Sequence, residues 1–243
     1  MLVDYKTQKL YYGFPIFILG YEDELHGMNI TTCSSSYSLA DTVTLGLVST
    51  TNAARQIKRA GRFTMNIIDE NLMELAEFAG IKEGRPNQSG KAGTDKLEES
   101  GAAYGIIDGL PVLDQAKIVL FCSVTQIYED QGVTHFIGQI DRRLLDNSLL
   151  NQSGRFVYEN FDPVLYEGDT RRRMYRFIEN GQENHSGIKP FGSYIRRARP
   201  ARQARPAQDA RQTRQARQTC SRKDENENPE KQGNKENYEN QEK

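Results

Sequence analysis

The chain has 243 residues and a formal net charge of −1, and hydrophobic residues make up only 37% of it, a low share for a globular protein. The deficit is local: large apolar side chains almost vanish from Gly192 onward, so the first 190 or so residues can still bury a core without disulfides or metal. The charge is uneven too, −6 over residues 1–190, +9 over 196–223 and −4 over 224–243, which places any polyanion-binding role in the tail rather than in the folding part.

The elements can be read in chain order. Phe14 to Tyr21 is a short run of β-branched and aromatic residues and predicts a buried strand. A polar turn, Glu22 to Gly27, leads to a returning strand, Met28 to Thr32. Val43 to Val48 is the next strand, thinned at Gly46. Asn52 to Ala60 predicts a short helix stopped by Gly61, and Phe63 to Ile68 another strand. In Asn71 to Ala79 the apolar residues Leu72, Leu75, Ala76 and Ala79 recur at helical spacing, with Gly80 at the C-cap position. Ile81 to Gly93, with three glycines and a proline, predicts a lid or surface loop. Ile118 to Glu129 and Val133 to Ile140 flank Gln131-Gly132 and predict a hairpin.

Short strands dominate, helices are few, and the two do not alternate regularly, which argues against a doubly wound sheet. The expected class is mainly β with short helices, a closed antiparallel barrel, followed by a disordered C-terminal tail. The expected boundaries are 1–190 for the domain and 191–243 for the tail. In the tail, arginines recur at every third residue from Arg196 to Arg217 with one omission. Such a segment cannot build a core, whether it samples polyproline II or helix.

Cys33, Cys122 and Cys220 are odd in number and form no C-x-x-C pair, so buried thiols at Cys33 and Cys122 and a cytoplasmic, reducing setting are expected. No signal peptide is evident, and Phe14 to Leu19 is too short to span a bilayer. His26, His135 and His185 stand beside no ligand at metal spacing, so no metal site is expected. The glycine-rich nucleotide loops are also missing.

Two segments could carry chemistry. In Asn29 to Ser38, eight of ten side chains bear a hydroxyl or amide and none a charge. Hydroxyls donate and accept, so the run reads either as a polar loop or as an edge facing a ligand such as a flavin ring and its ribityl chain. Ser49-Thr50-Thr51-Asn52 closes a strand and opens a helix. It reads as an ordinary cap or as an anion site on free backbone N–H groups. Arg55, in the first helical turn, opposes the macrodipole unless an anion is bound there. His135 reads as a solvent-edge residue or as a substrate contact.

Taken in order, several segments resemble the flavin reductase-like family. They are Pro15 to Gly20, Asn29 to Ser38, Val43 to Val48, Thr50-Thr51-Asn52, Gly61 to Ile68, Leu75 to Gly80, His135 to Ile140 and Asp162 to Tyr166. The resemblance spans roughly residues 10–180. It implies an FMN-binding split barrel and a homodimer with the flavin near the subunit interface. It also implies ring and ribityl contacts from Asn29, Thr31, Thr32, Ser34, Ser35 and Ser36. The phosphate would fall to Ser49, Thr50, Thr51, Asn52 and Arg55. The usual pair of prolines before the third strand is replaced here by Ala40-Asp41. The expected activity is an NAD(P)H-dependent flavin reductase using FMN, with FAD as the other cofactor. The alternative is an FMN-carrying electron-transfer protein with no nicotinamide site of its own. The tail adds weak polyanion binding, and no membrane partner is expected.

Overall fold

The computed structural model describes residues 2–84 and 93–178. Its first strands are β1 (Leu10–Pro15), β2 (Phe17–Asp23), β3 (Gly27–Cys33), β4 (Ser36–Leu39), β5 (Thr42–Val48) and β6 (Arg62–Ile67). After them come β7 (Tyr104–Ile107), β8 (Leu110–Leu113), β9 (Ile118–Asp130), β10 (Val133–Leu145), β11 (Leu165–Asp169) and β12 (Arg173–Arg176). The helices are α1 (Asn52–Ala60), α2 (Met73–Ile81) and α3 (Lys96–Ser100).

Strand β2 anchors the core because both its faces are covered. Phe17, Leu19 and Tyr21 alternate to one side, where they meet Leu45, Phe63, Phe136 and α1's Ile57. Ile18, like Ile16 just before the strand, turns to the other side and packs on Ile30, Leu72, Ala76 and Ala79. Each large apolar side chain buried in this way contributes about 1.5–3 kcal/mol. Gly20 sits where two strands cross: an added Cβ would lie 2.5 Å from Thr64 Oγ1 and 2.7 Å from the Pro111 carbonyl.

Seven strands form one antiparallel sheet in the order β3-β2-β6-β9-β10-β5-β4. Its two edges, β3 and β4, are consecutive in sequence and joined by Ser34 and Ser35. The mainly β class with short helices holds; among the described residues no ladder joins β3 to β4, and the sheet is left split at that link. Two features explain the split. Strand β4 pairs with β5 over only four residues. Helix α2 lies along β3, where Thr32 Oγ1 donates to the Ala76 carbonyl at 2.5 Å and Thr31 Oγ1 to the Ala79 carbonyl at 3.5 Å. A second sheet, β1-β11-β12, and the β7-β8 hairpin complete the strands.

Other expectations need correction. Phe14 to Tyr21 is not one strand. Proline lacks an N–H and tends to interrupt pairing, and past Pro15 the Ile16 N–H turns to the Val164 carbonyl at 3.0 Å. Strands β1 and β2 consequently enter different sheets. Gly80 lies inside α2, not at its cap; the Lys82 N–H closes the helix on the Phe78 carbonyl. The absent Cβ instead lets Thr32 approach, since a Cβ there would lie 3.4 Å from Thr32 Cβ. By contrast, α1 begins and ends as its sequence predicts, with Thr51 capping the Ala54 N–H and Gly61 left-handed at φ 68°. The β9-β10 turn also matches, with Gln131 and Gly132 at φ 47° and 79°. The centre of the expected lid loop (85–92), His185, Cys220 and the tail lie outside the described residues.

Candidate functional site

The split in the sheet opens a cleft of about 350 Å³, lined by Thr31, Thr32, Cys33, Ser34 and Ser35 on one side and Gly46, Leu47 and Val48 on the other. Thr51, which lines this cleft, also lines a neighbouring one of about 410 Å³ with Ser49, Thr50, Ala54, Arg55, Lys58, Glu129 and Thr134. On the opposite side Tyr11, Ser35 and Gly46 are shared with a third cleft of about 510 Å³, which holds Ser36, Phe14, Tyr37 and His135. Shared lining residues thus connect the α1 start, the split and His135 in that order.

The hydroxyls expected to face a ligand differ in freedom. Ser36 Oγ donates to the Thr44 carbonyl at 2.8 Å, and Thr31 and Thr32 hydroxyls reach α2 carbonyls. Among the described residues the side-chain hydroxyls of Ser34 and Ser35 have no protein partner, so both can still bond a ligand at the split. Cys33 lies beside them with its thiol pushed up to about 11 by burial. It stays protonated at neutral pH and offers no thiolate chemistry.

Two predicted residues turn away from the cleft. Asn29 and Asn52 are buried, and their amides serve the buried Asp23 carboxylate. Asn52 Nδ2 donates to Asp23 Oδ2 at 2.5 Å and Asn29 Nδ2 to the same oxygen at 3.4 Å. A buried carboxylate must be hydrogen-bonded to be tolerated, which is why amides stand here. Both amides are thus directed at Asp23 and not into the cleft. Asn52 still acts indirectly, since its Oδ1 accepts from Arg55 Nη2 at 2.8 Å and fixes that guanidinium beside the α1 cleft.

At the α1 end, Thr51 Oγ1 accepts from the Ala54 N–H at 3.2 Å and donates to the Val48 carbonyl at 2.9 Å. Its main task is the cap. Ser49 Oγ accepts from Thr134 Oγ1 at 2.8 Å. Lys58 is paired with Glu129 at 3.0 Å, and that ion pair holds the Glu129 carboxyl below its usual range. The helix carries no acidic residue in its first turn, so its N-terminal partial charge is left for an anion.

Sequence reasoning missed the aromatic part of the cleft's lining. Tyr11, Tyr166 and Tyr175 line the central cleft together with Arg173, Glu77 and Gly80. The Tyr11 and Tyr166 ring centroids are 4.8 Å apart, and those of Tyr166 and Tyr175 are 5.8 Å apart. These rings come from β1, β11 and β12 and meet only through the β1-β11 pairing, which sets Tyr12 opposite Glu167 and Phe14 opposite Tyr166. Their one sequence signal was the tyrosine content of both end segments. His135 is brought to the site: an added Cβ on Gly46 would lie 3.7 Å from its Nδ1 and 3.8 Å from Ser35 Cβ. The bare glycine therefore leaves a groove between these two residues, into which a long side chain at position 46 would project.

The family model described as flavin reductase like domain matches residues 11–174. Flavoredoxin of Desulfovibrio vulgaris (Miyazaki F) superposes with a TM-score of 0.64 at 23% identity, covering 80% of this chain and 100% of that one. Flavoredoxin from Methanosarcina acetivorans gives 0.63 at 15%, covering 80% and 99%. The FMN-binding protein from Thermus thermophilus with bound 1-cyclohex-2-enone gives 0.59 at 16%, covering 75% and 99%. A search of curated protein sequences finds no match.

Proposed function

The chain belongs to the flavin reductase like domain family, and from that premise we propose that it binds FMN in the three-part cleft and passes electrons from NAD(P)H to flavin. The observation that carries this reading is the continuity of the cleft, from a cationic helix start to a split lined by free hydroxyls and tyrosine rings. Its chemistry fits the cofactor. Arg55 and the α1 N–H groups would hold the phosphate. Ser34 and Ser35 would hydrogen-bond the ring edge and ribityl chain, and Gly46 leaves the floor open. FAD is the alternative cofactor.

When bound, the flavin would supply the hydride and single-electron chemistry itself. The protein's share is binding, orientation and exclusion of water. Tyr11, Tyr166 and Tyr175 would cover the ring from one side. His135 opens onto the adjoining cleft, where a second planar molecule can approach. Arg173, a cation in the central cleft, would favour negative charge on the bound ring. No acid or base group is required for hydride transfer.

The test is an absorption and fluorescence titration of purified protein, followed by an NAD(P)H oxidation assay. Expected outcomes are quenching of FMN fluorescence at tens of micromolar or below, roughly −6 kcal/mol, and steady NAD(P)H oxidation. Absence of quenching sinks the reading. A second reading, an FMN-carrying electron-transfer protein without a nicotinamide site, is favoured by the likeness to the two flavoredoxins. A coloured protein inert toward both nicotinamides would select it. The protein is also proposed to be a homodimer, checked by light scattering with FMN present. The residues beyond 190 are proposed to add weak polyanion binding that salt removes.

A further inference from the structure

Three consecutive arginines, Arg171, Arg172 and Arg173, follow the turn out of β11 and lead into β12. The turn is well tied. The Asp169 carboxylate accepts the backbone N–H of Arg171 at 2.7 Å and of Arg172 at 2.9 Å. The Tyr5 hydroxyl donates to the same carboxylate, and the Thr7 and Thr170 hydroxyls lie 3.4 Å apart. These bonds hold the N-terminal segment against the turn, and the Tyr5 bond first among them keeps the Asp169 carboxyl down at about 2.

The result is a cleft of about 520 Å³ lined by Tyr5, Lys6, Thr7, Gln8, Thr170 and Arg171. Gln8 is shared with the cleft that contains Lys9, Tyr11, Phe14 and His135. That cleft in turn shares Tyr11, Ser35 and Gly46 with the central one. Among the described residues, Lys6, Lys9 and Arg171 form no ion pair with a carboxylate. Lys6 and Arg171 in this cleft and Lys9 in the adjoining one thus stand outside any direct ion pair, with only the Asp169 charge acting on Arg171 across the turn, on a domain whose residues 1–190 carry −6.

The site thus has cations at both ends and aromatic side chains between. A single FMN has one phosphate, which the α1 end would take. The far end is free to take a second molecule that joins a planar ring to phosphates. We propose that Lys6, Lys9 and Arg171 bind the phosphate groups of a nicotinamide dinucleotide, with its nicotinamide directed along the His135 cleft toward the split. The identity of the dinucleotide rests on the NAD(P)H reading above; the presence of a phosphate site does not. Arginine suits it because its planar fork binds phosphate oxygens in pairs.

The test uses the full-length, FMN-loaded protein and calorimetric titration with NADP⁺, NAD⁺ and 2′,5′-ADP. Wild type is expected to bind NADP⁺ and 2′,5′-ADP, more weakly as salt rises. Lys6→Ala/Arg171→Ala is expected to weaken both by at least about tenfold and to leave FMN affinity unchanged. Both side chains are exposed and free of structural bonds, so the fold is not at stake; Lys6→Arg/Arg171→Lys should recover most of the affinity. No binding by wild type, or equal affinities in wild type and the double variant, overturns the site. Loss of FAD affinity with NADP⁺ unchanged overturns it as well, because the cleft would then serve the flavin's own nucleotide. Wild type that binds NADP⁺ through these residues yet does not oxidise NADPH supports the site and removes the reductase reading instead.

Discussion

At the α1 end of the cleft, Ser49, Thr51 and Arg55 are neighbours in sequence, and one strand-to-helix turn delivers them to one place. At the split, Tyr11, Ser35, Tyr166 and Arg173 come from opposite ends of the domain and meet only because β1 pairs with β11 and β11 with β12. The contrast teaches where each part is vulnerable. The local end depends on a cap and on charge, so single substitutions there should act in small, separable steps. The assembled end depends on space and on buried support, so one misplaced side chain should remove it altogether.

The sharpest way to break the comparison is Gly46→Leu. The new side chain would enter the gap between His135 and Ser35, and FMN affinity should fall at least a thousandfold, about 4 kcal/mol. Fluorescence titration beside a melting curve checks it. Retained affinity would mean that the ligand does not use the split.

Buried support is next. Lys96 is only 3% exposed; its Nζ donates to the Ala79 carbonyl at 2.6 Å and to Thr31 Oγ1 at 3.4 Å. Burial lowers its pKa from 10.5 to about 8. Between those values the unfolded chain keeps a proton that the folded chain sheds, so this contribution to stability rises with pH; below pH 8 the buried charge costs stability in full. The stability of wild type relative to Lys96→Met should therefore rise by on the order of 3 kcal/mol from pH 8 to 10.5. Denaturant midpoints at several pH values measure it, and a flat difference would show Lys96 to be solvated.

Arg55→Ala should cost FMN about 1.5–3 kcal/mol, the worth of a hydrogen bond to a charged group, and leave riboflavin unaffected. Equal losses for both ligands would put the phosphate elsewhere. The smallest effect belongs to Thr51→Ala. Its hydroxyl caps the Ala54 N–H, so stability should drop by about 1 kcal/mol, a shift of roughly 2–4 °C in melting temperature. A larger loss of FMN affinity than of stability would make Thr51 a ligand contact rather than a cap.

Sequence sufficed where the physics is local. Helix α1 was legible from Thr51 to Gly61 because a hydroxyl cap and a left-handed glycine need no distant partner. The β9-β10 hairpin was legible because Gln131-Gly132 supplies the two positive φ angles that its turn requires. The hydroxyl run was visible as composition, and its link, Ser34-Ser35, proved to be the split itself. Tertiary structure alone decided that the sheet stays open there, that the strand expected from Phe14 to Tyr21 breaks at Pro15, and that the amides of Asn29 and Asn52 turn to Asp23. It alone placed Tyr166 and Arg173 in the same cleft as Ser34. The break at Pro15 and the placing of Tyr166 and Arg173 depend on pairings between segments more than a hundred residues apart, and a side chain's own type does not say whether the group it will meet is a ligand, a helix carbonyl or a buried carboxylate.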